Sequence, residues 1–276
     1  GCAGGIDVTA TGNYVPEQTA ENMTAFRISV KGATGGHSGM DIHKGRANSN
    51  KLMNRILSGA AENFGIRINT IDGGGLRNAI PRESFAIIVI ATEQVNVFKK
   101  FIEEQAAILK AEYRSTDAAI DLAIEATETP SSVLPADFQY RLLRSVYACP
   151  NGIYRMSPDI AGLVQSSNNV ARVLVQDGVY SILCLTRSAV DSEKMDLAAA
   201  IRSTFELLGA TVSFGGSYPG WTPHPDAAIV KLMSNLYKER YGEDADVNAC
   251  HAGLECGIIG KNYPGMEMIS FGPNIH

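Results

Sequence analysis

Apolar and polar residues alternate from 23 to 30, and then the period lengthens: Leu52, Met53, Ile56, Leu57, Ala60 and Ala61 recur at helical spacing within 48–64. Period two predicts a strand and period 3.6 a helix, because successive strand side chains point to opposite faces while i, i+3 and i+4 share one face of a helix. Two further apolar, β-branched segments, 66–71 and 83–91, flank the turn-rich stretch Asp72-Gly73-Gly74-Gly75-Leu76-Arg77-Asn78-Ala79-Ile80-Pro81. Residues 95–113 return to helical period with Phe98, Phe101, Ile102, Ala106 and Leu109 on one face, and 119–126 read as a closing strand. The order βαββαβ predicts a ferredoxin-like unit, with two helices on one side of a four-stranded, mostly antiparallel sheet.

After a linker at 128–135 a similar order returns. Residues 138–147 predict a helix, 163–175 and 179–185 a hairpin turning at Asp177-Gly178, 191–208 a helix opened by Asp191-Ser192-Glu193, and 210–214 a strand. This αββαβ order echoes the first unit, and Asn78 is echoed by Asn168 and Asn169, which points to a pseudo-repeat. Beyond Trp221 the character changes. Residues 226–240 predict an amphipathic helix with Ile229, Leu232, Met233, Leu236 and Tyr237 inward, followed by a short strand at 246–250, a strand-to-helix turn at 251–257 and a strand at 266–271. About sixty residues are too few for a complete α/β layer. The expected fold class is α+β: a connection at 1–21, ferredoxin-like units at 22–128 and 129–217, and a partial α/β segment at 218–276. A chain that opens on Gly1 and closes just after a predicted strand reads as a piece of something longer.

Composition narrows the function classes. In 276 residues, 45% hydrophobic content suffices for a buried core, and a net charge of −5 carries no basic stripe, so no nucleic-acid partner is expected. No apolar run reaches the roughly 18 residues a membrane span needs, so no membrane partner is expected either. Cys2, Cys149, Cys184, Cys250 and Cys256 form no CxxC pair. An odd, scattered set fits reduced thiols in a cytoplasmic protein better than a disulfide framework.

Candidate chemistry centres on Val30-Lys31-Gly32-Ala33-Thr34-Gly35-Gly36-His37-Ser38-Gly39-Met40-Asp41, where a strand breaks into glycines before a helix. His37 is placed there at a loop tip held by rigid elements, able to orient a ligand or stabilise an oxyanion. The plainer alternative is an exposed histidine in a glycine-rich turn. Asn78 could donate an amide hydrogen bond at the same site. Arg187, at a strand end, could clamp a carboxylate with its planar fork, or simply be solvated there. His251 and Glu255 are four apart, which on a helix would share a face. His43 and His224 read as surface residues and Asp41 as a local cap. No HxxxH or HxH spacing, phosphate loop or GxSxG elbow occurs.

Gly1-Cys2-Ala3-Gly4-Gly5, Gly35-Gly36-His37-Ser38-Gly39, Arg77-Asn78-Ala79-Ile80-Pro81-Arg82-Glu83, Tyr218-Pro219-Gly220-Trp221, His251-Ala252-Gly253-Leu254-Glu255-Cys256-Gly257 and Ser270-Phe271-Gly272-Pro273 together resemble the aminoacyl-histidine dipeptidases of the zinc aminoacylase/carboxypeptidase superfamily. The resemblance implies a cytoplasmic hydrolase of Xaa-His dipeptides, a possible homodimer, that uses two divalent metal ions, expected to be zinc, in a catalytic domain capped by a ferredoxin-like lid. It makes His37 the lid histidine at the scissile carbonyl, Asn78 a substrate contact, Arg187 the holder of the substrate carboxylate, and the turn with His251 and Glu255 part of the pocket. It places the metal ligands outside this chain, with His276 a few residues too early to be one, so that this segment alone would bind no metal. A non-catalytic lid or dimerisation module, or an aminoacylase or carboxypeptidase with the same lid, is the alternative.

Overall fold

A computed structural model describes residues 1–272; Pro273 and His276 lie outside the described residues. Nine strands form one antiparallel sheet: β1 (Gly4–Asn13), β2 (Met23–Lys31), β3 (Arg67–Gly74), β4 (Ser84–Ala91), β5 (Asp121–Thr127), β6 (Gly152–Met156), β7 (Val164–Gln176), β8 (Val179–Ser188) and β9 (Thr211–Tyr218). The helices are α1 (Ser49–Phe64), α2 (Val95–Glu112), α3 (Ala136–Ala148), α4 (Asp191–Leu208), α5 (Ala228–Tyr241) and α6 (Glu255–Asn262).

Spatial order along the sheet is β9-β1-β8-β7-β3-β4-β2-β5, with β6 beside one end of β7. The half β3-β4-β2-β5, taken with α1 and α2, is the expected first ferredoxin-like unit. The other half, β7-β8-β1-β9 with α3 and α4, has the same order when β1 is counted as its first strand. The stretch 1–21 is therefore no mere connection. Ile6, Val8 and Ala10 alternate into the core, and β1 closes the second unit between β8 and β9. The first unit is inserted between the first strand and first helix of the second. The two meet where Arg172–Val175 of β7 pair with Ile71–Gly74 of β3.

One apolar cluster runs beneath both units. Phe26, Ile28, Val30, Ala86, Ile88 and Ile90 come from the first, and Tyr180, Ile182, Val170, Val173 and Val175 from the second, with the inner faces of α1 to α4 packed on them. A bulge at Ala171 shifts the inward alternation of β7 from Val170 to Val173. The hairpin turns as expected on Asp177 (φ 52°) and Gly178 (φ 79°), the pair of positive φ values a two-residue turn requires. Asn48 starts α1, its side chain accepting from the N–H groups of Asn50 and Lys51.

The C-terminal sixty residues differ from expectation. Residues 246–250 make only an isolated bridge, through Cys250, and 266–272 form no strand, because no described strand lies alongside to supply a ladder of backbone partners. The face of α5 read as inward buries no residue, and Leu232 and Leu236 stand exposed. Asn168 and Asn169 sit inside β7 rather than before a strand pair, so the asparagine echo is not part of the repeat.

Candidate functional site

The glycine loop after β2 is held from three sides. Asp117, wholly buried, accepts from the N–H of Thr34 (2.7 Å) and of Ala47 (2.9 Å). Arg46 donates to the Gly35 carbonyl at 2.7 Å. Gly36 and His37 pair with Ile80 and Ala79 of the second loop, and the Ser38 N–H donates to the Asn78 carbonyl at 2.8 Å. The His37 N–H donates to Asp41 Oδ2 at 2.8 Å, so Asp41 ties back the glycine loop, while the short helical turn at 42–44 that it precedes receives no cap bond from its side chain. Ion pairing with Lys44 and the His37 N–H hold the Asp41 carboxyl below its usual range.

These contacts fix the chemistry of His37. Its Nδ1 accepts from the N–H groups of Gly39 (3.1 Å) and Met40 (3.0 Å), which leaves the neutral ring's proton on Nε2. Half-burial and then the nearby Arg187 charge push its pKa down, partly opposed by Asp41. The ring is thus a preset neutral donor.

Asn78 rides a loop that is pinned while its own side chain stays exposed. Asn169 Nδ2 donates to the carbonyls of Arg77 (3.1 Å) and Ala79 (2.8 Å). Arg77 itself bonds Thr9 Oγ1 at 2.6 Å and the Cys184 carbonyl at 3.1 Å across the sheet.

Arg187 lies on β8 with Gly5 on one side and Ser167 on the other, and it is 3% exposed. The solvated-strand-end reading fails. Its Nη1 donates to Tyr218 Oη at 2.7 Å, while its buried Nε has no partner. No carboxylate among the described residues pairs with it. Tyr218 is fixed through its backbone, since the Lys194 ammonium donates to its carbonyl at 2.7 Å and to Asp191 at 2.8 Å.

His251 comes to the same place. Its Nε2 is hydrogen-bonded to Ser167 Oγ at 2.7 Å, and burial first, then the Arg187 charge, depress its pKa to about 4. Gly39 is indispensable to this approach: a Cβ there would fall 2.1 Å from the His251 carbonyl oxygen and 3.2 Å from Arg187 Nε. Three distant segments thus converge at Arg187. Glu255 does not join them. Helix α6 begins at Glu255, so His251 lies outside it and the two share no helical face; the carboxylate stands exposed in the first turn. His43 and His224 are exposed, as expected.

Ser167, Tyr218 and Lys194 are the contributors that sequence reasoning missed. Tyr218 lies in a motif already singled out, but a serine and a lysine in amphipathic elements carry no signal of their own.

Among the described residues no three His, Cys, Asp or Glu side chains gather as metal ligands. His224 and Asp226 have a His-x-Asp spacing, yet both are exposed and no third ligand joins them. At the His37–His251 cluster the buried guanidinium occupies the place of the charge, which disfavours a second cation there. The described residues do not by themselves fit a metal centre.

Residues 28–117 match the family model described as a peptidase dimerisation domain. Over 275 residues the sequence is 38% identical to the cytosol non-specific dipeptidase of Escherichia coli (strain K12), covering 100% of this chain and 57% of that protein. The fold matches the crystal structure of aminoacylhistidine dipeptidase from Vibrio alginolyticus with a TM-score of 0.95 and 37% identity, covering 99% of this chain and 56% of that one. The chain thus spans a little over half the length of these relatives. The fold is one of two ferredoxin-like units sharing a single sheet, and residues 28–117 of it match a peptidase dimerisation domain. More narrowly, the chain is similar over its length to part of an aminoacylhistidine dipeptidase.

Proposed function

We propose that this chain is the lid, with an adjoining part at 218–276 of the catalytic domain, of a metal-dependent cytoplasmic dipeptidase that hydrolyses Xaa-His dipeptides of the carnosine type. The observation that carries the reading is the buried, carboxylate-free guanidinium of Arg187. A buried charge is costly unless an anion completes it, and the free C-terminal carboxylate of a dipeptide is such an anion, of the geometry a planar fork takes.

In this reading Arg187 holds the substrate carboxylate, with Tyr218 fixing one arm of the fork. His37 presents Nε2–H to the scissile carbonyl oxygen as negative charge develops there, already oriented by two backbone donors, so no reorganisation accompanies the reaction. Asn78 supplies a further amide donor from the facing loop, and neutral His251 forms the pocket wall. Glu255, exposed and away from the cluster, takes no role. The two divalent ions of the resemblance would activate water, on ligands outside the described residues.

The full-length protein should hydrolyse carnosine in preference to N-acyl amino acids when supplied with zinc. Losing one oxyanion donor costs about 100- to 1000-fold in turnover, so His37→Ala should lower kcat by that factor with metal content unchanged. A loss of only a few-fold would return His37 to an ordinary turn histidine, and a preference for N-acyl amino acids would move the parent to the aminoacylases. The match of 28–117 to a dimerisation domain supports a homodimer as well, which light scattering on the full-length protein would test.

A further inference from the structure

Cysteines that share no motif in the sequence are gathered by the fold. Cys149 and Cys184 are sealed in the core of the second unit, 2% and 0% exposed. Cys2 and Cys250 lie opposite each other in a parallel bridge near the surface. Cys250 N–H donates to the Gly1 carbonyl at 3.1 Å, and Cys2 is fixed on its other side by two bonds with Trp221, at 2.8 and 2.9 Å. Paired segments run about 4.8 Å apart, within the Cα separation of roughly 4.4–6.8 Å that a disulfide spans. Both sulfurs turn to the same short segment: Cys2 Sγ to the Leu254 carbonyl at 3.9 Å and Cys250 Sγ to the Ala252 carbonyl at 3.6 Å. Their surroundings differ. Cys250 is half-buried and meets solvent, whereas Cys2 is enclosed. Burial raises the Cys2 pKa, and the neighbouring Cys250 adds to the rise.

We propose that Cys2 and Cys250 form an oxidisable pair, a modification site at which a hydroperoxide closes an intramolecular disulfide. The Cys250 thiolate attacks a peroxide oxygen and the O–O bond breaks, leaving Cys250 sulfenic acid and a hydroxide that takes up the thiol's proton as water. Cys2 then attacks the Cys250 sulfur and loses its own proton; the S–O bond breaks and a second water leaves. Two thiols give up two electrons, one hydrogen peroxide becomes two waters, and an external thiol reverses the bond. Because Cys250 directly precedes His251, the disulfide ties the turn bearing His251 to the first residues of the chain. Such a bond in a reducing compartment would be transient and responsive to oxidant rather than a standing staple.

The test is hydrogen peroxide titration of the whole chain, followed by intact mass and a non-reducing peptide map. Expected is a loss of about 2 Da, the two thiol hydrogens, a Cys2–Cys250 cross-link, and full recovery with dithiothreitol. Cys2→Ser should instead stop at an oxygen adduct on Cys250, Cys250→Ser should abolish the cross-link, and Cys256→Ser should leave it as in wild type. A wild-type cross-link through Cys256, between two chains, or confined to Cys149 and Cys184 would overturn the proposal. So would Cys250 oxidised to the sulfinic acid while Cys2 remains free.

Discussion

The two ferredoxin-like units share one strand order and one core, yet their corresponding strands end differently. In the first unit β4 finishes Val89-Ile90-Ala91, apolar and packed within its own layers. In the second, the corresponding β8 finishes Thr186-Arg187-Ser188, and all three side chains are buried. Thr186 bonds Asn168 at 3.0 Å, Ser188 bonds Ser166 at 2.9 Å, and Arg187 reaches Tyr218. One repeat keeps the hydrophobic ending that stability favours, while the other buries a polar, cationic ending, which is costly to the fold and, in the function proposed above, receives the substrate. Departure from the apolar rule in one copy of a repeat marks function more sharply than either copy does alone.

The largest expected effect probes what the units have in common. Phe98 on α2 and Phe205 on α4 occupy corresponding helices and are both fully buried. Truncating either to alanine should cost about 3–5 kcal/mol by urea denaturation, in a single transition for both variants, since one cluster joins the units. Two separate transitions would break the one-core description.

Next comes pH, which acts on the polar end alone. His251 has a folded pKa of about 4 against an ordinary 6.5, so the unfolded chain binds its proton first as the solution is acidified. Its contribution is fully present above about pH 6.5, falls as pH drops, and is spent below about 4, amounting to about 3 kcal/mol. Wild type minus His251→Asn stability, measured from pH 7 to 4, should show that slope. A flat difference would mean that the imidazole is not held neutral in the folded chain.

A smaller effect belongs to the first unit's helix start. Asn48→Ala removes the cap of α1 together with the bonds from its Nδ2 to Asn151 Oδ1 (2.9 Å), the Val170 carbonyl (3.1 Å) and Asn169 Oδ1 (3.2 Å) and should cost about 2 kcal/mol. A loss below a few tenths would mean that water replaces the cap at no cost. The smallest expected change is in Arg187→Met: replacing an unpaired buried charge with an apolar side chain of similar reach should leave stability within about 1 kcal/mol of wild type or raise it. A large loss would show that Arg187 serves the fold.

Most of this architecture was legible because its signals are local. The six elements of the first unit follow from period, and Asp177-Gly178 announces its hairpin. Strand β1 was not legible, because its partners Val179–Ser188 and Thr211–Tyr218 lie far along the chain and its own Gly4-Gly5 start reads as a loop. At 246–250 and 266–271 the opposite happened: local pattern promised strands, yet only Cys250 finds a single bridge, to Cys2, and 266–271 finds no ladder partner among the described residues. The site divides in the same way. His37 stood out by its glycines, but the burial of Arg187, its bond to Tyr218 and the anchoring of His251 on Ser167 are tertiary facts. The helical spacing of His251 and Glu255 misled because a helix boundary falls between them.

The central claim is that Arg187 is kept unpaired in order to hold a substrate carboxylate, and substitution by lysine tests it most directly. Arg187→Lys in the full-length protein retains the charge and loses the two-pronged fork, so a dipeptide should bind more weakly by about 1.5–3 kcal/mol. Measured against the same dipeptide carrying a C-terminal amide, the variant should lose most of the wild-type preference for the free acid. An undiminished preference for the free acid in Arg187→Lys would contradict the account.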